Sequence, residues 1–186
     1  QDAQGREALR LPLVVVALSP RSLLGLGFEQ LYVERPVLDV RRSADGQIWI
    51  AGFALPHAET GDSRVAEWIF SQPEMAIRHG TVHWSDALRD APTLTLTDVD
   101  LVLRNARRGH ALRLDASPPP QWGQRVGVNA VFQQPLLTGN AGRWQEWDGQ
   151  MHADLGRVDL AWLRRYIDPG VDVAQCEGAV RAWVDV

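Results

Sequence analysis

The sequence predicts a mainly β fold: an antiparallel sheet, open on one side, carrying two short helices. Three observations carry that expectation. Apolar and polar residues alternate with a period of two through most of the chain. Turn residues punctuate the alternating stretches at short intervals. Only two segments switch to a helical period.

Strands are expected over 11–17, 31–41 and 47–53, with Ala44-Asp45-Gly46 as a hairpin signal between the last two. Val65, Trp68 and Ile69 recur at i, i+3, i+4. With Asp62 or Ser63 as cap and Pro73 as stop, they predict a helix near 63–72. Thr93 to Thr97 alternates strictly, with Leu94 and Leu96 apolar, whereas Val99, Leu101 and Leu103 put the apolar set on odd numbers. The change of parity predicts a bulge near Thr97 and Asp98. After the polar turn 105–109, Leu112, Leu114 and Ala116 face one way and Arg113 and Asp115 the other. Pro118-Pro119-Pro120 stops that strand, because proline has no N–H for a ladder. Val126, Val128, Ala130 and Phe132 form the next one-sided strand, and Met151, Ala153 and Leu155 another. A second helix is expected near 158–167, with Asp159 as N-cap, Leu160, Leu163 and Ile167 on one face, and Pro169-Gly170 as its end.

The 186 residues fit a single segment of a larger protein, spanning 1–186. Apolar residues at 45% and charged residues at 23% exclude disorder and collagen-like repetition. A net charge of −4 argues against a general nucleic-acid binder. Every one of the 19 basic residues is Arg, and a single cysteine, Cys176, cannot form an internal disulfide. The chain starts at Gln1 without a signal-peptide pattern, so it reads as an excised piece. Its longest apolar run, 11–18, contains Pro12 and is under half the roughly 20 residues of a membrane-spanning helix. As written, the piece reads as soluble.

The asymmetry of the strands raises the functional question. Each central strand has one apolar and one polar face, as in an antiparallel sheet wetted on one side. Two short helices are too few to cover the apolar face. Either the sheet folds over on itself, or that face meets a lipid chain or a neighbouring part of a larger protein.

Candidate chemistry is sparse. His79 and His83, with Asp86, have a metal-like spacing, but Gly80, Thr81, Val82 and Trp84 favour a strand. Residues four apart on a strand sit about 13 Å from each other, too far for one ion. Asp98 with Asp100, and Glu146 with Asp148, have the look of carboxylate pairs for glycoside hydrolysis, and also of an ordinary solvated strand face. Trp144 and Trp147 suggest a sugar-stacking platform, with burial at a sheet corner the favoured reading. Arg104, Arg107 and Arg108 are expected on a hairpin tip, where a charged turn is the favoured reading over contact with anionic headgroups. No nucleophile elbow, phosphate loop, dinucleotide fingerprint or zinc-protease motif is present, so no enzyme activity and no cofactor or metal is expected.

Several stretches in order resemble a known family. They are Leu31-Tyr32-Val33-Glu34-Arg35-Pro36 leading to Arg41-Arg42-Ser43-Ala44-Asp45-Gly46, then Ser71-Gln72-Pro73-Glu74-Met75-Ala76-Ile77 with Gly80 and Trp84-Ser85-Asp86. There follow Asp98-Val99-Asp100-Leu101-Val102-Leu103-Arg104-Asn105, His110-Ala111-Leu112-Arg113-Leu114-Asp115-Ala116 with Pro118-Pro119, Trp147-Asp148-Gly149 and Arg181-Ala182-Trp183. Their order and spacing resemble the N-terminal region of the YhdP-type members of the AsmA-like superfamily, relatives of TamB, over about residues 25–186. The resemblance implies a long periplasmic protein of Gram-negative bacteria, tied to the inner membrane by an N-terminal anchor that is absent here. It also implies a curved, taco-shaped β-groove with an apolar interior, and a part in moving phospholipids toward the outer membrane. The family carries no catalytic motif.

The resulting expectation is a segment of a bridge-like phospholipid-transfer protein, partnered by acyl chains, the rest of its own chain and the inner membrane. The groove-lining candidates are Leu94, Leu96, Leu101, Leu103, Leu112, Leu114, Val126, Val128, Ala130, Phe132, Met151 and Leu155. The alternatives are a non-enzymatic envelope-assembly scaffold, with the apolar face covered by neighbouring segments, and a carbohydrate-binding β-sandwich using Trp144 and Trp147.

Overall fold

The computed structural model describes residues 9–18, 29–54, 64–135, 147–159, 165–166 and 177–185. In chain order these form β1 (Leu9–Arg10), β2 (Leu13–Ala17), β3 (Gln30–Glu34), β4 (Val37–Arg42), β5 (Ile48–Ile50), β6 (Phe53–Ala54), α1 (Arg64–Ser71), β7 (Glu74–Asp86), β8 (Ala91–Asn105), β9 (Gly109–Ser117), β10 (Val126–Gln133), β11 (Asp148–Asp159) and β12 (Glu177–Asp185). The strands make one open, curled sheet with the main order β12-β11-β10-β9-β8-β7-β4-β5-β6. β3 continues the line of β4 along β7, with β2 outside β3 and β1 outside β4.

The β-rich, curved architecture agrees with the sequence, but the sheet is mixed rather than antiparallel. From β7 to β12 every neighbour is antiparallel, whereas β3 and β4 both run parallel to β7. A parallel pair needs a long crossover, and the stretch from Ser43 to Pro73, including α1, supplies it. Alternation reports which face a residue occupies, not which way its neighbour runs.

Two expected strands are divided, and the one expected over 11–17 starts at Leu13 after a short extra strand, β1. Pro12 separates β1 from β2, Arg35-Pro36 separates β3 from β4, and an Ala51-Gly52 turn with φ of 53° and 85° separates β5 from β6. The expected hairpin at Asp45-Gly46 is present. Gly46 takes φ 87°, its N–H reaches the Ser43 carbonyl at 2.9 Å, and Ser43 N–H bonds the Gln47 carbonyl at 2.9 Å. The helix near 63–72 is present as α1, with Ile69 of the expected stripe half-buried and Trp68 departing from it. Trp68 is exposed and Phe70 packs instead. Its expected caps, Asp62 and Ser63, lie outside the described residues. The helix near 158–167 is corrected at its start, because Val158 and Asp159 are extended in β11 and pair with Gly178 and Glu177. Asp159 is thus the last residue of β11, and the stretch 160–164 that it was expected to cap lies outside the described residues. Arg165 and Tyr166 form a turn, and Leu160, Leu163 and Ile167 lie outside the described residues.

A crease crosses three adjacent strand lines. Arg35, His79 and Asp98 all have left-handed backbone, with φ of 51°, 52° and 46°. β7 carries one extra residue between Ile77 and Gly80, and β8 carries one between Leu96 and Val99, at the expected bulge. Hydrogen bonds hold the crease: Arg35 N–H to the Arg78 carbonyl, Thr81 N–H to the Pro36 carbonyl, and His79 N–H to Asp100 Oδ1 at 3.1 Å. Bulges raise local twist, so this line is where the long strands bend and the sheet curls.

Candidate functional site

The bulge at Asp98 decides which side chains share a face. Thr97 pairs with Ser117 and Asp100 with Asp115, all on the polar side. Leu94 and Leu96 therefore lie on the same side as Val99, Leu101 and Leu103 despite their opposite parity. Cross-strand register then builds apolar rows. One runs Leu31, Met75, Leu103, Leu112, Ala130, Met151. The next runs Val33, Ile77, Leu101, Leu114, Val128, Ala153. Val16 and Val14 extend these rows onto β2, where all five residues are exposed. Phe132 opposite His110 lies to one side of the rows; Val126, opposite Ala116 and Leu155, lies to the other.

All twelve groove candidates thus occupy one face of the sheet. Leu103 and Ala130 are buried, and the other ten are half-buried. An apolar face that packed under a second layer would be buried throughout; this one keeps partial access along its whole width.

Its ends are furnished differently. At the β8–β9 turn, α1 is tied on by Asn105 Nδ2, which donates to the carbonyls of Gln72 at 2.7 Å and Ile69 at 3.2 Å. There His110 stacks on Trp147, with ring centres 3.8 Å apart and 8° between planes, and Phe70 meets Trp147 edge-on at 4.6 Å. His110 Nδ1 lies 2.8 Å from Asn105 Oδ1. Its Nε2 and the Trp147 Nε1 are buried and have no hydrogen-bond partner among the described residues. Burial pushes the His110 imidazole below its ordinary pKa. At the opposite end of the strands Trp122 packs on Tyr166, whose hydroxyl donates to the Pro92 carbonyl at 2.7 Å.

At the far end of β4 and β7 the apolar face finishes on an ion pair. Arg42 Nε donates to Asp86 Oδ1 at 2.9 Å and Arg42 Nη2 donates to Oδ2, with the Asp86 side chain fully buried. Asp86 also accepts the N–H groups of Leu88 and Arg89. The Arg42 hydrogen bonds hold its carboxyl below the usual carboxylate range.

The remaining candidates do not converge. His83 Nδ1 sits 3.0 Å from Thr95 Oγ1, His79 Nδ1 is 3.7 Å from Asp98 Oδ1, and Asp86 belongs to Arg42. Among the described residues no three His, Cys, Asp or Glu side chains gather as metal ligands. Asp98 sits in the bulge while Asp100 is bound by Arg125 at 2.8 Å, so they are not a matched pair. Asp148 is exposed. Glu146, Trp144 and Cys176 lie outside the described residues. Trp147, only 5% exposed, is structural and offers no sugar platform. Of the hairpin arginines, Arg108 donates to the Gln134 carbonyl at 2.9 Å, Arg104 donates to Glu74 Oε2 at 2.8 Å, and Arg107 is exposed.

Sequence reasoning missed a second feature on the polar face. A depression of about 710 Å³ is ringed by Arg78, Arg104, Arg113 and Arg125 over a floor of Val102 and Ala111. These arginines lie far apart in sequence, and only strand register gathers them.

No family model matches the chain, nor does any curated protein or solved structure. The geometry alone defines the class: an open, curled mixed β-sheet with one continuous, accessible apolar face.

Proposed function

We propose that this chain is a segment of a periplasmic, bridge-like phospholipid-transfer protein, held to the inner membrane elsewhere in its length, whose apolar face shields acyl chains. The observation that carries the reading is the set of half-buried apolar rows, continuous in register from β2 to β11 with no charged residue in either row. Each buried methylene is worth about 0.8 kcal/mol, so a stretch of acyl chain lying across a few strands gains several kcal/mol. The mechanism is passive. Tails lie along the rows, headgroups stay at the wet seam, and neither cofactor nor covalent step is required.

A photo-crosslinking amino acid placed in turn at positions 111, 112, 113 and 114, in the full-length protein in its membrane, tests this reading. Adducts to lipid acyl chains should form at 112 and 114 and be absent at 111 and 113. Protein adducts at 112 and 114, in place of lipid, would favour the assembly-scaffold alternative.

A further inference from the structure

The polar face carries an inference independent of the acyl groove behind it. Alternate residues on β7, β8 and β9 there are small or short, with Ala76, Val102 and Ala111 in adjoining register. The long side chains at the margins leave the 710 Å³ depression between them. Four guanidiniums surround it, and three carboxylates engage them: Asp100 with Arg78 and Arg125, Asp115 with Arg113, Glu74 with Arg104. One positive charge is left over.

The mode of engagement matters more than the count. Arg104 and Arg113 each spend only Nε on their carboxylate, at 2.8 Å in both cases. Their terminal Nη groups bond nothing among the described residues. Glu74 is itself steadied by Gln30 Nε2 at 2.5 Å. The register places Ala111 opposite Arg104 and Arg113 opposite Val102, so the two arginines are diagonal neighbours across β8 and β9. Diagonal positions lie about 7–8 Å apart, within reach of long side chains. Arg104 leans toward Glu74 on β7 and Arg113 toward Asp115 along β9, so the two guanidiniums flank the depression from different sides, each with unbonded tips of the kind that pair bidentately with phosphate.

The geometry points to a phosphomonoester-binding site between Arg104 and Arg113, with Arg78 and Arg125 at its margin. The shared chemistry is a terminal phosphate, borne by a lipid headgroup or by a small soluble molecule. The test uses inorganic phosphate as probe, followed by 31P line broadening at constant ionic strength with chloride as the balancing anion. Phosphate should bind the parent and bind Arg104→Gln/Arg113→Gln at least 10-fold more weakly. Arg107→Gln, an exposed arginine outside the depression, should bind like the parent. Because Arg104 and Arg113 side chains are 70% and 67% exposed, the double variant should keep the parent's circular dichroism spectrum. Co-sedimentation with phosphatidic acid vesicles, compared with phosphatidylcholine vesicles, separates the sources. Arginine-dependent, phosphate-competed co-sedimentation supports a headgroup ligand, and phosphate binding without co-sedimentation supports a soluble one. No phosphate binding by the parent, equal binding by the folded double variant, or equal loss in Arg107→Gln would overturn the site.

Discussion

Placing a carboxylate on the apolar face should block acyl binding while the same charge one residue away should not. Leu114 is flanked in register by Leu101 and Val128, and the adjacent row holds Leu103, Leu112 and Ala130. No basic residue lies within either row to pair with an aspartate at 114 or 128. In Leu114→Asp the aspartate either remains unpaired against apolar neighbours or holds water that a tail must displace. Loss of contact with about four methylenes at about 0.8 kcal/mol each removes about 3 kcal/mol, on the order of 100-fold in lipid occupancy. Val128→Asp should behave alike. Asn129→Asp points to the opposite face, opposite Arg113, and should leave occupancy unchanged. The assay is lipid crosslinking from position 112 in full-length protein, scored only for variants that keep the parent's β-rich circular dichroism spectrum. Leu114 is half-buried, so its replacement should cost the fold about 2 kcal/mol, within what a domain tolerates. Folded Leu114→Asp and Val128→Asp proteins that crosslink lipid as well as the parent would refute the reasoning.

Other consequences concern stability. Asp86→Ala strands Arg42 and frees the Leu88 and Arg89 amides, and should cost about 3 kcal/mol in urea denaturation at neutral pH. Because Asp86 titrates below its unfolded value of 3.8, its contribution is complete above that pH and fades as pH falls further; a parent and variant that converge only above pH 5 would contradict this. His110 is depressed by burial, so its neutral form stabilises the fold fully above the unfolded value of 6.5, and stability should decline as pH drops below it. His110→Phe should flatten that decline in thermal melts between pH 7 and 5, and an unchanged slope would count against it. Gly149→Ala should destabilise by about 2 kcal/mol, since an added Cβ would sit 2.6 Å from the Val131 carbonyl oxygen and against the Phe132 ring. A melting temperature equal to the parent's would show that β11 shifts freely.

The face of every central strand was legible because one rule, alternation, governs it. Even the switch from Leu96 to Val99 was readable, since a bulge is the only way to keep both leucine sets on one side. Gly46 was legible because its turn needs a backbone that glycine adopts freely. The parallel pairing of β3 and β4 with β7 was not, since direction depends on a crossover through α1 rather than on local pattern. Val158 misled because its apolar side chain fits the helical spacing of the stretch that follows, whereas pairing with Gly178 of β12 keeps it extended. The polar depression was invisible for a different reason. Arg104 was grouped with its sequence neighbours Arg107 and Arg108, whereas Arg78, Arg113 and Arg125 look like ordinary solvated strand or turn residues, and the proximity of the four exists only in register. Trp147 was read in the right sense, though its stacking partner His110, 37 positions earlier, carries no local signal.

Whether acyl chains occupy the apolar rows is read most directly by native mass spectrometry of the protein. Mass additions matching phospholipids should appear in the parent, be greatly reduced in Leu114→Asp and be retained in Asn129→Asp. A parent free of lipid, or additions that persist undiminished in folded Leu114→Asp, would contradict it.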